Sequence, residues 1–128
     1  MDKIQEGVLR FHKEMGLYHA DKPHMLPEKE MNVSIRLIEE EMDEWIEAYE
    51  NDDLVGMVDG LGDLLYVVYA AAVRMGVDMS DVMEEIQRSN MTKTGGKLNE
   101  WGKYVKPDTY SPPRIRQVLE WLGWWEEK

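Results

Sequence analysis

No cysteine occurs among the 128 residues, which excludes a disulfide framework, a thiolate metal site and a thiol nucleophile. The absence fits a reducing cytoplasm, the expected location. Histidine is scarce too. His12, His19 and His24 do not pair at metal-ligand spacing on a helix, which argues against zinc. Positive charge is short: 15 Lys and Arg face 26 Asp and Glu, and the net charge of −11 opposes binding to a nucleic-acid polymer. The sequence lacks a phosphate loop of the Walker type, a dinucleotide fingerprint, calcium-loop spacing and a nucleophile elbow. Met1 to Met15 alternates charged with apolar residues and does not read as a signal peptide.

What is present is helical periodicity. No run alternates convincingly as a strand, so the expected class is all-α, a four-helix-type bundle with a C-terminal loop and a short last helix. A single domain is expected over residues 1–128. Ile4, Val8, Phe11 and Met15 mark a first helix over 2–15. A second runs from about Glu28 to Glu50. Asn51-Asp52-Asp53 breaks it and caps a third, Leu54 to Met75, which Gly76 ends. Asp78 or Ser80 caps a fourth that reaches about Ser89. Residues 90–112 form a long loop, and Pro112-Pro113 opens a final helix through Leu122.

The third helix carries the sharpest signal. From Leu54 to Val73 every residue is apolar or glycine except Asp59, Asp63, Tyr66 and Tyr69. A helix apolar all round is expected to be buried, and two unpaired carboxylates there would cost several kcal/mol each. Its length tempts a transmembrane reading, but two aspartates one turn apart and no flanking basic cluster argue against a membrane partner. Upstream, Leu37, Glu41 and Trp45 share one helical row, with Glu40 and Glu44 at its edge. The short link makes the second and third helices antiparallel neighbours, so these acids can face Asp59 and Asp63. Oxygen ligands converging in a partly dry cleft suit Mg²⁺, with Mn²⁺ as a substitute. The competing readings are a solvated glutamate face, and an aspartate pair satisfied by hydroxyls, Arg36 or Arg74.

Charge is unevenly spread. Between Met91 and Tyr110, Lys93, Lys97, Lys103 and Lys106 outweigh Glu100 and Asp108 for a net of +2, leaving −13 on the remainder. A basic loop on an acidic body can close over an anion that arrives with a cation. The plainer reading is a solvated loop.

Leu37-Ile38-Glu39-Glu40-Glu41-Met42-Asp43-Glu44-Trp45 resembles the EExxE motif of the all-α nucleoside triphosphate pyrophosphohydrolases, the MazG-like and phosphoribosyl-ATP pyrophosphohydrolase-like superfamily. Asp59 to Tyr69 resembles its second acidic motif, and Ser89 to Lys93 with Lys103 to Pro113 resembles its C-terminal part. The resemblance implies Mg²⁺ ligands at Glu40, Glu41, Glu44 and Asp63, with Glu40 or Glu41 as general base. It implies hydrolysis of a nucleoside triphosphate at the α-phosphorus, and a homodimer or dimer of dimers. Asn90 and Lys93 resemble substrate contacts, as do Lys103 and Tyr110. One departure stands out. Many members carry ExxD in the second motif, which would put glutamate where this chain has Gly60; Asp59 lies one position earlier, as a replacement ligand or behind the ligands. Two other readings remain open: a noncatalytic helical dimer that binds nucleotide or metal, and an interaction module built on Trp121-Leu122-Gly123-Trp124-Trp125.

Overall fold

The computed structural model describes residues 1–125. Five helices follow one another: α1 (Lys3–Met15), α2 (Glu28–Glu50), α3 (Leu54–Met75), α4 (Met79–Met91) and α5 (Ile115–Trp121). The fold is all-α, with one small exception. The segment after α4, expected to be plain loop, holds two antiparallel two-residue strands, β1 (Lys97–Leu98) and β2 (Tyr104–Val105), with Lys97 opposite Val105. Strands this short have no periodicity to read.

Local chemistry sets the helix ends. The Asp2, Asp53 and Asp78 carboxylates accept from Gln5, Gly56 and Ser80 N–H groups, capping α1, α3 and α4. Gly16 and Gly76 close α1 and α3 in the left-handed conformation, at φ 67° and 70°. Gly76 has a second duty: the backbone of Lys22 packs directly on its Cα, where a Cβ would lie 2.6 Å from the Lys22 carbonyl carbon. That contact holds the 17–27 loop against the end of α3, helped by Ala20 N–H to Val73 O and His24 N–H to Met75 O. The last helix opens at Ile115 rather than at the prolines, because Glu85 on α4 accepts from the Arg114 N–H at 2.6 Å and pairs with Arg88 at 2.7 Å. The Arg88 guanidinium and the Arg114 N–H hold the Glu85 carboxyl down to about 2.

The core is small. Val8, Ala70 and Val73 form it, flanked by Leu9 and Tyr69 where α1 meets α3. Gln5 is buried beside it and bridges the α3–α4 link, donating to Val77 O at 2.7 Å and accepting from Met79 N–H at 2.9 Å.

α2 and α3 form an antiparallel hairpin. Gly56 lies against Ala48 and Gly60 against Trp45, so rising numbers on one helix meet falling numbers on the other. α3 itself is not buried, contrary to the expectation from its composition. Leu54 (74%), Val55 (81%), Val58 (65%) and Leu65 (56%) are exposed, because the helices packed on α3 within the chain, α1 and α2, leave one side open. An apolar run does not say whether its cover comes from the same chain. By length and composition alone α3 is long and apolar enough to cross a bilayer.

Candidate functional site

The close approach of α2 and α3 builds the acidic site. A Cβ on Gly60 would sit 3.1 Å from the Cα and 3.2 Å from the backbone nitrogen of Trp45. The helix backbones come close here, and a side chain at residue 60 would need the Trp45 backbone to give by a few tenths of an ångström. Gly60, at the position where the ExxD pattern would put glutamate, is a contact point of the hairpin. The approach draws the Leu37–Glu41–Trp45 row, half-buried throughout, towards the α3 row that carries Asp63.

Glu41, Glu44 and Asp63 each offer a carboxylate oxygen, and the three oxygens lie within 4.8 Å of one another. Glu44 and Asp63 are exposed, whereas Glu41 has one oxygen, Oε2, buried without any hydrogen-bond partner. Burial raises the Glu41 carboxyl above the ordinary carboxylate range, and Glu44, Asp63 and Glu40 raise it further. An orphaned oxygen among like charges is costly as it stands. An oxygen-only set with no histidine in it fits a hard divalent cation, which would satisfy that oxygen and offset the repulsion.

The remaining acids are placed differently. Glu40 is exposed at the edge of the row; its charge acts on Glu41, but it is not one of the three converging residues. Asp59 is also exposed and outside the trio, and lines a neighbouring cleft of about 280 Å³ with Glu44, Glu47 and Asp53. The inference of a cation from buried aspartates therefore fails, since both aspartates face solvent; the buried oxygen belongs to Glu41. Of the alternative partners, Arg74 is engaged elsewhere. Arg74 is buried against α2, with Glu30 Oε2 3.6 Å from its Nε. If Asp59 supports rather than binds the ion, Asp59→Asn should lower Mn²⁺ affinity by roughly 10- to 100-fold at most. Calorimetric titration measures this, and a loss equal to that of Asp63→Asn would make Asp59 a ligand.

The basic residues gather elsewhere. Asn90, Lys93, Lys103, Lys106 and Tyr104 line a cavity of about 570 Å³ between the end of α4 and the β1–β2 ribbon. Three contacts fix its frame. Ser89 Oγ donates to Ser111 O at 2.8 Å, the Ser111 N–H donates to Thr92 Oγ1 at 2.8 Å, and Asn99 Oδ1 accepts from the Trp101 and Lys103 N–H groups across the ribbon turn. Tyr110 does not line the cavity. Its ring lies under two ammonium groups instead, with Lys106 Nζ 4.7 Å and Lys93 Nζ 5.5 Å from its centroid. Lys106 was not singled out from the sequence; its spacing of four from Tyr110 in a basic stretch was the available signal. Of the C-terminal tryptophans, Trp121 and Trp125 are exposed and Trp124 packs under Arg116.

No curated protein sequence matches the chain. The family model for phosphoribosyl-ATP pyrophosphohydrolase matches residues 8–90, which spans α2, α3 and all of the acidic site and stops at the first residue of the basic cavity. The match covers more than half of the chain, and the chain belongs to the phosphoribosyl-ATP pyrophosphohydrolase family of nucleotide pyrophosphohydrolases.

Proposed function

We propose that the chain hydrolyses a nucleoside triphosphate, or a related nucleotide, at the α-phosphorus, with Mg²⁺ held by Glu41, Glu44 and Asp63. The observation that carries this reading is the orphaned Glu41 oxygen within the carboxylate trio. When bound, the ion supplies charge neutralisation and Lewis acidity towards phosphate oxygens. The chain's own residues do the rest. Glu40, exposed beside the trio and free of its packing, accepts a proton from the attacking water, with Glu41 as the alternative base. The water oxygen bonds to the α-phosphorus and the bond to the α–β bridging oxygen breaks. The products are the nucleoside monophosphate and pyrophosphate. Asn90, Lys93 and Lys103 contact the phosphates.

The same reading covers the open face of α3 with a second copy of the chain. A row of exposed valines and leucines this long is costly in water and suits an isologous helix contact. Mn²⁺ replaces Mg²⁺ without a change of ligands.

The test is a panel of nucleoside triphosphates incubated with Mg²⁺ and scored for the inorganic product. Pyrophosphate with an equal amount of monophosphate is expected. Orthophosphate release would place attack at the γ-phosphorus and overturn the reading. Nucleotide binding with no turnover on any member of the panel would make the chain a noncatalytic binder.

A further inference from the structure

We infer that the groove along the first half of α2 receives the base of the nucleotide, that this base is a purine, and that Arg36 and Asn32 select it. The inference rests on the hydrolase reading for the place of the phosphates, and names the substrate class of that same site.

Helical geometry supplies the first argument. Asn32, Val33, Arg36 and Leu37 line an open groove of about 830 Å³, with Lys29 at its far end. That volume is within the range of roughly 300–1,000 Å³ usual for small-molecule sites. Asn32, Arg36, Glu40 and Glu44 follow one another on α2 at steps of four, and so do Val33, Leu37 and Glu41. Residues four apart are neighbours on one face of a helix. The groove and the carboxylates are therefore two halves of a single strip. Arg36 and Leu37 stand one turn before Glu40 and Glu41. Asn32 and Val33 stand two turns before them, about 11 Å along the axis. A nucleotide whose α-phosphate sits at the carboxylates can lay its ribose and base over that span.

The side chains supply the second argument. Val33 and Leu37 are half-buried and give the groove an apolar floor, which suits the flat face of a base. Arg36 and Asn32 are exposed beside that floor. Glu40 lies one turn from Arg36 on the same row, yet the two do not pair. Among the described residues, the ion pairs involve the N-terminal amine, Arg10, Arg74 and Arg88 instead. The Arg36 donors are thus open to a ligand. A guanidinium fork matches the adjacent O6 and N7 acceptors of guanine, and an asparagine amide matches N6 and N7 of adenine. Both edges belong to purines. A pyrimidine has no N7, and its single ring covers less of the floor.

The experiment compares kcat/KM for GTP, ATP, CTP and UTP with Mg²⁺, alongside calorimetric titration of the four monophosphates. Purines should be favoured in both. Arg36→Ala should lower the ratio of GTP to CTP by at least about tenfold, mainly through KM, the scale of one charge-assisted hydrogen bond. Asn32→Ala should lower the ratio of ATP to UTP by roughly three- to tenfold, the scale of a neutral one. Arg36→Lys keeps the charge but loses the fork, and should not restore the ratio. If Arg36 only balances the charge of Glu40, its loss moves all four substrates alike and lysine rescues it. Circular dichroism reports whether each variant is folded. A wild type without purine preference, or an unchanged ratio in folded Arg36→Ala, would overturn the proposal, while pyrophosphate release kept the hydrolase reading. Preferential binding of purine monophosphates, lost in Arg36→Ala, by a protein that turns over no triphosphate would leave the groove standing and remove the hydrolase reading alone.

Discussion

Asp63→Asn should remain folded and helical, and should lose metal-dependent pyrophosphate release by more than about 100-fold, beyond the range typical of residues behind a metal ligand. The substitution removes one charge from the carboxylate trio and hardly changes its shape. A second readout needs no metal. Asp63 is one of the charges that raise the Glu41 carboxyl above its ordinary value of 4.5. A carboxyl whose folded pKa exceeds its unfolded pKa binds its proton more tightly in the folded protein. Stability then falls as pH rises from 4.5 through the folded value. Taking away the Asp63 charge lowers the folded value and recovers part of that loss. At pH 7 in chelator, Asp63→Asn should therefore melt no lower than the wild type. Undiminished turnover would end its role as a ligand. A clear drop in melting temperature would show that the trio is held by something other than mutual repulsion awaiting a cation.

The largest expected loss of stability comes from Gly76→Ala. The substitution meets two costs at once. The backbone angle of φ 70° is left-handed, which costs an L side chain about 1–2 kcal/mol. The new Cβ would also press on the Lys22 backbone, and backbone cannot swing aside as a side-chain end does. Overpacking of this kind costs about 1–3 kcal/mol, so urea denaturation should show a total loss of about 2–5 kcal/mol. Gly16→Ala is the matched control. Its φ of 67° is the same, but nothing lies within 4 Å of the added Cβ. It should lose only the conformational part. Equal losses at the two glycines would mean that the Lys22 contact contributes nothing.

Gly76 was legible in the sequence as a helix end, and so were most helix boundaries. Asp53 and Gly76 bracket α3 because a carboxylate and a left-handed residue are the groups that satisfy free helix-end amides and carbonyls. The facing rows on α2 and α3 were legible as well, since a three-residue link leaves a long helix pair little choice of direction. The burial of α3 was not. Hydrophobic content records that a surface must be covered, and a core and an interface have the same composition. The role of Gly60 was hidden for a related reason. A missing ligand and a required helix contact look identical until the distance to Trp45 is known. Glu40 and Glu41 were separable by helical geometry, about 100° apart with Glu41 in the Leu37–Trp45 row and Glu40 at its edge. That Glu41 turns an oxygen into the packed seam without a partner was not legible. The ribbon and its lysine pairings depend on side-chain contacts over a short stretch, below the length at which periodicity carries information.

Because three residues join α2 to α3, the acidic rows come together as soon as this hairpin closes. Contacts between neighbouring helices are local, and local contacts form early in folding. Glu41, Glu44 and Asp63 thus converge while much of the chain is still unpacked, and their repulsion opposes an early step as well as the finished fold. A divalent ion bound by the trio would act on that step too. If the trio holds such an ion, refolding should be faster with Mg²⁺ than in chelator, beyond any slowing of unfolding.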